Sequence, residues 1–381
     1  MKIAILTQPL NTNYGGLVQA FALQRVLEKM GHESVIIDIP VQRSLYRDFR
    51  AILDRIKRKY LLHQKNIGRV LYFRPTKSEE RRIKFHTNRF IKENIKTTEC
   101  IRTVKKITKL KKYQFDAFVV GSDQVWRPIY SPGLLTYFLE FLGDKRNVRR
   151  IAYAVSFGTD VWEYDTELTK KCKRLAQRYD AISVREDSGV KLCDEKFGIK
   201  ASHVLDPTML LEQEDYALLV NQEHYSKKNK TLMSYVLDRT IDKDSITQTI
   251  ASHLNLSINS VMPKEKYSAL TRQTIDDCVF PPVAEWLKGF MDAEFVVTDS
   301  FHGTIFSIIF NKPFVAIGNK ERGMTRFLSL LKMFDLEDRI IFSKKELGEK
   351  IINTSIDYNK INKIKKELQQ ASFGFLKKAL E

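Results

Sequence analysis

The sequence predicts an α/β protein built from two doubly wound, Rossmann-like domains that face each other across a cleft. Along most of the 381 residues, short apolar runs of strand length alternate with longer amphipathic segments of helix length. Several apolar runs end in a polar or glycine-bearing tip, as expected where parallel strands carry ligand-binding groups at their carboxyl ends. The length exceeds one ordinary core, and a hydrophobic fraction of 43% can fill two.

The first domain is predicted to span residues 1–212. It opens with a β-α-β unit, and the alternation resumes after a basic insertion at 41–112. Asp206 and Pro207 then break the pattern, which places the domain boundary just beyond them. Strands are predicted at residues 2–7, 34–39, 116–120, 151–156, 181–184 and 202–205, and helices at 17–30, 167–178 and 189–196.

The loop after the first strand contains Asn13, Tyr14, Gly15 and Gly16. A dinucleotide-binding protein would carry G-x-G-x-x-G here, and a P-loop would carry a lysine, so the sequence indicates neither NAD nor ATP. The two glycines allow the backbone to approach a ligand at the start of the helix. A plain strand-to-helix turn is the alternative interpretation.

The second domain, predicted over residues 213–355, contains the most informative stretch of the chain. An apolar strand stops at Asp299 and Ser300, and a helix-compatible segment begins after Gly303. At the carboxyl end of a strand such a helix offers unpaired N–H groups to an anion, and His302 would lie there. The alternative is that Asp299 or Ser300 only caps the helix and His302 is a spacer. Further strands are predicted at 231–237, 257–261 and 314–317, helices at 241–254, 283–291 and 324–333, and at 356–381 a C-terminal helix that packs back on the first domain.

The formal charge of +18 is concentrated in the insertion at 41–112, where 23 Lys and Arg against 6 Asp and Glu give +17. Basic and apolar residues alternate there with helical spacing, which predicts amphipathic helices at 45–58 and 69–73. Such a surface suits anionic lipid head groups or a pyrophosphate-linked acceptor, with a solvated basic face as the alternative. No nucleic-acid partner is expected, because no RNP, zinc-finger or helix-turn-helix signature accompanies the charge.

The sequence contains no pattern of a signal peptide or a membrane span, so we expect a cytoplasmic protein, with peripheral contact at the inner face of the membrane as an open alternative. The cysteines lack C-x-x-C spacing and a companion histidine cluster, so neither disulfides nor zinc are indicated. We expect no metal and no cofactor.

Six segments of the chain, taken in order, carry a family resemblance. Residues 13–16 read NYGG, with Gln19, Ala20 and Leu23 after them, and the later segments are GSDQVW at 121–126, YAVSFG at 153–158, SVRE at 183–186, LDPT at 205–208 and TDSFHGT at 298–304. Together they resemble the polysaccharide pyruvyl transferase family from residue 1 to about 335.

The resemblance implies a GT-B-like fold and transfer of a pyruvyl group from phosphoenolpyruvate onto two hydroxyls of a sugar, free or lipid-linked, with formation of a cyclic ketal and release of phosphate. It implies that Arg185 and His302 fall where the family holds the donor's phosphate and carboxylate and carries out the chemistry. Many members carry Arg two residues before the histidine, where this chain has Ser300. One expected anion clamp is therefore absent.

Phosphoenolpyruvate carries a carboxylate and a phosphate, so its site requires fixed cations or N–H donors. We expect Arg185 to be the main cation, with a surface ion pair to Glu186 or Asp187 as the alternative. Arg322 and Arg326 are candidates to replace the absent arginine. The predicted donor-binding residues are Arg185, Ser300, His302, Gly303, Arg322 and Arg326.

Ketal formation requires a proton for the methylene carbon, stabilisation of an oxocarbenium-like centre and a base for each attacking hydroxyl. We expect His302 to donate that proton or to stabilise the departing phosphate. Asp123 or Asp299 would be the base, with a turn or cap carboxylate as the alternative for each. The predicted acceptor-binding residues are Asn13, Tyr14, Gly15, Gly16, Trp126 and Ser156, with core packing as the alternative for the aromatic ones.

Two other functions remain open from the sequence. A GT-B glycosyltransferase would share the fold and could hold a nucleotide diphosphate with a histidine and basic residues. A non-catalytic glycan- or lipid-binding relative would explain the absent arginine as lost donor affinity. Stabilisation by phosphoenolpyruvate, by a nucleotide sugar or by neither would separate the three.

Overall fold

The computed structural model describes residues 1–40, 49, 52–54, 56–61, 74–101, 104–131, 133–144, 147–223, 225–267, 275–319 and 323–381. Two parallel β-sheets with helices packed on them form two α/β domains that face each other across a cleft. The predicted fold class, two Rossmann-like domains in a GT-B-like arrangement, is confirmed. Within the described residues no helix is long and apolar enough to cross a membrane.

The first domain is built on a six-stranded sheet with the order β2-β1-β3-β4-β5-β6, in which every neighbouring pair is parallel. Alternate residues of its strands enter two cores on opposite faces. Ile3 and Ile5 face one core, whereas Ala4 and Leu6 face the other. The strands are β1 (Lys2–Leu6), β2 (Glu33–Ile36), β3 (Ala117–Val120), β4 (Arg149–Val155), β5 (Ala181–Val184) and β6 (Ser202–His203).

The second domain repeats this topology in a five-stranded parallel sheet. Its strands are β7 (Thr231–Tyr235), β8 (Ser257–Asn259), β9 (Phe295–Thr298), β10 (Phe314–Ile317) and β11 (Ile340–Ile341), in the order β11-β10-β9-β7-β8. In each domain the first strand lies between the second and the third. Ligand crevices form at such switch points, here between β1 and β3 and between β7 and β9.

Eight of the helices that cover the sheets fall close to the predicted positions, whereas those at Lys77–Ile83, Phe85–Asn94, Gln213–Asn221 and Glu349–Asn353 were not predicted. The helices are α1 (Tyr14–Lys29), α2 (Lys77–Ile83), α3 (Phe85–Asn94), α4 (Thr166–Ala176), α5 (Asp187–Leu192), α6 (Gln213–Asn221), α7 (Ile241–His253), α8 (Val283–Asp292), α9 (Phe301–Ile309), α10 (Thr325–Met333), α11 (Glu349–Asn353) and α12 (Tyr358–Leu380). Of the helices predicted in the basic insertion, 69–73 lies outside the described residues and 45–58 is described only in part.

The C-terminal helix α12 contacts the first domain. Ser372 accepts a hydrogen bond from the backbone N–H of Leu205 at 3.0 Å, and the Gln369 side chain donates to the carbonyl of Met209 at 2.8 Å. The ring of Phe375 lies 6.2 Å from that of Tyr153 on β4. The chain thus returns to the first sheet after it completes the second.

Both helices that face the cleft begin earlier than predicted. α1 begins at Tyr14 rather than at 17, and α9 begins at Phe301 rather than after 303. Asn13 and Ser300 cap them by accepting hydrogen bonds from the backbone N–H groups of Gly16 and Gly303. The glycines at 15, 16 and 303 have poor helix propensity, so these positions were predicted to precede the helices. In the structure the capped first turn of each helix accommodates them.

Candidate active site

One cavity of about 400 Å³ lies between the carboxyl ends of the two sheets. Gln8 follows β1 and Asp123 follows β3, while Leu237 follows β7 and Ser300 follows β9, so both switch points open into it. One part of its wall is polar and another is apolar. The polar part includes Gln8, Asn11, Asn13, Asp123, Gln124, Ser300, His302 and Arg326, and the apolar part includes Ile39, Pro40, Ile101, Ile107 and Ile129.

His302 projects into this cavity from the first turn of α9. Its Nε2 is buried, has no hydrogen-bond partner among the described residues and lies 3.8 Å from Oδ2 of Asp206. Burial lowers the pKa of His302, and the opposing effect of Asp206 and Asp123 does not overcome it. The imidazole is therefore neutral at neutral pH and can accept a proton from a group bound in the cavity.

Gly15 of α1 lies directly against His302, across the boundary between the domains. A Cβ at Gly15 would lie 2.2 Å from Nδ1 and 2.4 Å from Cγ of His302, so only glycine fits at this position. The N-terminal turns of α1 and α9 therefore meet at the cavity. Helix N-termini carry partial positive charge and unpaired N–H groups, which favours an anion at this place.

Arg185 is fully buried and paired with two carboxylates of its own domain. Its Nη2 lies 2.9 Å from Oδ1 of Asp123, its Nη1 lies 2.9 Å from Oδ2 of Asp206, and its guanidinium stacks on the ring of Phe301 at 4.7 Å. Arg185 was predicted to bind the donor directly, but it is not among the residues that line the cavity. Its place is behind the wall, where it neutralises Asp123 and Asp206.

Asp123 lines the cavity but is a weak base. Burial alone would raise its pKa, but Arg185, together with His302 and Arg326, lowers the pKa to about 2. The Oδ1 that pairs with Arg185 also accepts a hydrogen bond from the backbone N–H of Gln124 at 2.8 Å. Asp123 is accordingly an anionic hydrogen-bond acceptor for a ligand, whereas the buried imidazole of His302 is the better proton acceptor.

Asp299 was predicted as a base, and the structure gives it another role. Its Oδ1 accepts a hydrogen bond from the backbone N–H of Leu237 at 2.6 Å, and its Oδ2 accepts from that of Asp238 at 3.1 Å. The ammonium of Lys243 lies 2.7 Å from the same Oδ2. Because these donors hold both oxygens, Asp299 fixes the tip of β7 beside the cavity.

Two aromatic residues predicted to stack on the acceptor are instead packed in cores. Tyr14 donates its hydroxyl hydrogen to the carbonyl of Pro281 at 2.8 Å, and its ring stacks on Trp286 of the second domain at 5.5 Å. Trp126 is fully buried, stacks on Phe138 at 4.6 Å and donates its indole N–H to a backbone carbonyl. Tyr14 therefore joins the two domains, and Trp126 stabilises the first.

The other predicted acceptor residues divide between the cavity wall and the interior. Asn13 lines the cavity, while Gly16 lies within the first turn of α1. Ser156 is fully buried and does not reach the cavity. Gly303 also lies inside its helix, where a Cβ would approach Oγ1 of Thr298 to 2.1 Å, so it serves close packing of α9 on β9.

Arg326 is the cation that the described residues place on the cavity wall. It is buried, its guanidinium lies over the ring of Phe301 at 5.4 Å, and burial lowers its pKa to about 10, so it remains protonated at neutral pH. Arg322, the other candidate for the absent arginine, lies outside the described residues. In the described part of the chain, no group of three or more His, Cys, Asp and Glu side chains could hold a metal ion.

Sequence reasoning missed several residues of the cavity. Tyr130 is 42% exposed and lines the cavity, with the guanidinium of Arg127 at 5.5 Å from its ring. Gln8 donates to the carbonyl of Gln124 at 3.0 Å and to the hydroxyl of Ser131 at 2.8 Å. The position of Gln8 at the end of β1 was a usable signal, whereas nothing in the local sequence distinguished Tyr130 from the aromatic residues of the core.

The family model described as polysaccharide pyruvyl transferase matches residues 13–321. A comparison with the curated proteins gives no match.

Among solved structures the chain is similar to UDP-N-acetylglucosamine 2-epimerase from Rickettsia bellii, with 12% identity over 99% of this chain and 96% of that chain and a TM-score of 0.49. It is also similar to UDP-GlcNAc 2-epimerase of Methanocaldococcus jannaschii in complex with UDP-GlcNAc and UDP, with 13% identity over 97% and 100% and a TM-score of 0.47. MurG of Acinetobacter baumannii shows 10% identity over 97% and 94%, with a TM-score of 0.43.

Proposed function

The chain belongs to the polysaccharide pyruvyl transferase family, and from this premise we propose that it transfers a pyruvyl group from phosphoenolpyruvate to two hydroxyls of a sugar in a polysaccharide or its lipid-linked precursor. A cyclic ketal forms and inorganic phosphate is released. The observation that carries the proposal is the buried Nε2 of His302, without a hydrogen-bond partner among the described residues, at the place where two helix N-termini meet.

The donor's anionic groups are proposed to bind between α1 and α9. The N–H groups in the first turn of α9 and the guanidinium of Arg326 lie on the cavity wall and offer positive potential there. Arg185 balances Asp123 and Asp206 from behind, which reduces the repulsion between these carboxylates and the donor. In this arrangement Arg326 takes the place of the arginine that many family members carry where this chain has Ser300.

His302 is proposed to move the proton of the first attacking hydroxyl. Neutral Nε2 accepts the hydroxyl proton while the oxygen bonds to C2 of phosphoenolpyruvate, and the π electrons of the C2–C3 bond take the same proton from the imidazolium at C3. The C2–O bond to phosphate then breaks and leaves an oxocarbenium centre, to which the second hydroxyl adds. Its proton leaves with the phosphate, so atoms and charges balance.

The acceptor sugar is proposed to occupy the outer part of the cavity. Tyr130 offers an exposed aromatic face at the cavity wall, and a sugar ring can stack on such a face. The amide of Gln124 and the carboxylate of Asp123 lie on the same wall and can orient the two hydroxyls. In this proposal the acceptor lies between Tyr130 and His302.

Phosphate release from phosphoenolpyruvate tests this proposal. The purified chain is incubated with phosphoenolpyruvate and a panel of nucleotide-linked and lipid-linked sugars. We expect acceptor-dependent release that His302→Gln abolishes. His253→Gln is the matched control, because His253 is exposed at the end of α7, where its Nε2 lies 3.0 Å from Oδ1 of Asn353 and away from the cavity lining. Equal turnover by His302→Gln would refute the proposed role of the imidazole.

Thermal unfolding separates the competing functions before any acceptor is known. A ligand that binds the folded chain raises the unfolding midpoint, by an amount that grows with the logarithm of its concentration above the dissociation constant. The proposal expects stabilisation by phosphoenolpyruvate. Stabilisation by a uridine diphosphate sugar alone would favour a glycosyltransferase, and stabilisation by a glycan without either donor would favour a non-catalytic relative.

A further inference from the structure

The basic insertion contains an exposed apolar face. Between residues 49 and 61 the described residues are helical and end in the π-type turn Lys57–Leu61, in which no residue is buried. Five large apolar side chains are exposed in this short interval, by fractions between 37% and 70%. They are Phe49, Leu53, Ile56, Tyr60 and Leu61.

Four of these side chains recur with the spacing of one helical face. Phe49, Leu53, Ile56 and Tyr60 are separated by four, three and four residues, which aligns them along one side of a helix. In α1 the apolar side is buried against the sheet, but in this segment the apolar side chains are exposed together with the charged ones. The apolar side chains that a packed helix would bury are therefore accessible to a partner.

Basic residues flank this apolar face. The sequence from 49 to 61 contains five Lys or Arg and one Asp, a net charge of +4. Lys57 follows Ile56 and Lys59 precedes Tyr60, and both lysines are exposed. Long basic side chains beside an apolar stripe can reach anionic head groups while the stripe enters the boundary between head groups and acyl chains.

We propose that the described residues between 49 and 61 form a docking surface for an anionic membrane, in which the apolar side chains insert and the flanking lysines bind lipid phosphates. Charge complementarity selects this occupant over a second copy of the chain. In a two-fold pair the same patch would face itself, and two segments of +4 would be placed in contact.

The docking surface lies close in sequence to the cavity wall. Pro40 lies on the cavity wall, and Phe49 follows it by nine residues, which span at most about 32 Å when fully extended. Docking would therefore hold the cavity near the membrane surface. The inference does not depend on the chemistry proposed for the cavity, and it is tested without turnover.

Flotation of the full chain with vesicles tests the proposal. Vesicles of phosphatidylcholine alone are compared with vesicles that contain phosphatidylglycerol at one part in four, at low and high salt. We expect binding only to the anionic vesicles, weakened by salt. Lys57→Glu with Lys59→Glu should reduce partitioning by about 30-fold or more, and Leu53→Glu with Tyr60→Glu should abolish it.

The matched control is Lys363→Glu with Lys366→Glu on the exposed side of α12, which gives the same change in net charge. We expect the control to bind as the native chain does, and circular dichroism verifies that every variant is folded. Equal loss in the control would reduce the effect to net charge and overturn the proposal. Indifference to lipid charge would also overturn it, as would a concentration-dependent dimer that Leu53→Glu dissociates while no vesicle is bound.

Discussion

Gly15→Ala tests the contact between the two helix N-termini at the cavity. The added methyl group would lie 2.2 Å from Nδ1, 2.4 Å from Cγ and 2.8 Å from Cβ of His302. An ordinary contact needs about 3.5 Å, so the imidazole or the whole of α9 must move by more than about 1 Å. The matched control is Gly16→Ala, whose Cβ would have the Asn13 side chain as its nearest neighbour, at 3.3 Å.

The two substitutions should have opposite effects on stability. Alanine is favoured over glycine in a helix by up to about 1 kcal/mol, so Gly16→Ala should be neutral or stabilising. At Gly15 the same gain is opposed by an overpacking cost of about 1–3 kcal/mol. A displacement of about 1 Å at a catalytic group can reduce turnover about 100-fold, so kcat/KM should fall by that order in Gly15→Ala alone.

Thermal unfolding and phosphate release from phosphoenolpyruvate measure the two effects separately. The unfolding midpoint reports the packing clash whether or not the proposed reaction is correct. If Gly15→Ala unfolds at the same temperature as Gly16→Ala and retains the native kcat/KM, then Gly15 does not contact His302 in solution. The geometry described here for the two helix N-termini would then be wrong.

Three further predictions concern the charges and aromatic residues of the site. Asp206→Asn should lower the free energy of unfolding by about 3–5 kcal/mol at pH 7, because it leaves a buried arginine partly unpaired. The pKa of Asp206 is lowered in the folded state, so its carboxylate stabilises the fold above the ordinary value of 3.8, and in acid titrations the deficit of the variant should shrink as the pH falls below that value. Because burial lowers the pKa of His302 below 6.5, kcat/KM should be level above pH 6.5 and decline only at lower pH, and a decline that begins above pH 6.5 would contradict this assignment. Tyr130→Ala should raise the acceptor KM about tenfold, whereas Trp126→Phe should leave that KM unchanged and lower only the unfolding midpoint.

The sequence predicted the scaffold well because parallel strands that are buried on both faces read as continuous apolar runs. β5 and β10 were predicted at their observed bounds, and the polar residues that end the strands gave the edge on which the cavity lies. β11 was missed because it has only two residues, Ile340–Ile341, too few for a recognisable period.

The sequence could not predict which charges would be paired. Asp123 and Asp206 lie 62 and 21 residues before and after Arg185, and only the sheet order brings all three together. Without that order the only carboxylates that the sequence offered to Arg185 were its neighbours Glu186 and Asp187, and direct donor binding was predicted instead. The two backbone N–H groups that bind Asp299 come from the loop that follows the neighbouring strand β7, so the role of this carboxylate also depends on tertiary structure.

Tyr14 and Trp126 show the same limit for aromatic residues. Both lie in motifs that follow strands. Whether an aromatic ring at such a position enters a core or a cleft depends on the helices and strands that pack against it. Tyr14 enters the second domain, whose aromatic cluster lies more than two hundred residues later in the chain. Both rings are buried, so the alternative of core packing is correct for Tyr14 and Trp126.

Product analysis with phosphoenolpyruvate labelled with ¹³C at C2 tests the central claim most directly. The account predicts that the label enters a sugar product as a quaternary ketal carbon, with one phosphate released per ketal, and that His302→Gln yields neither. Label that remains in phosphoenolpyruvate, or that appears as free pyruvate with no sugar product across the acceptor panel, would contradict the account.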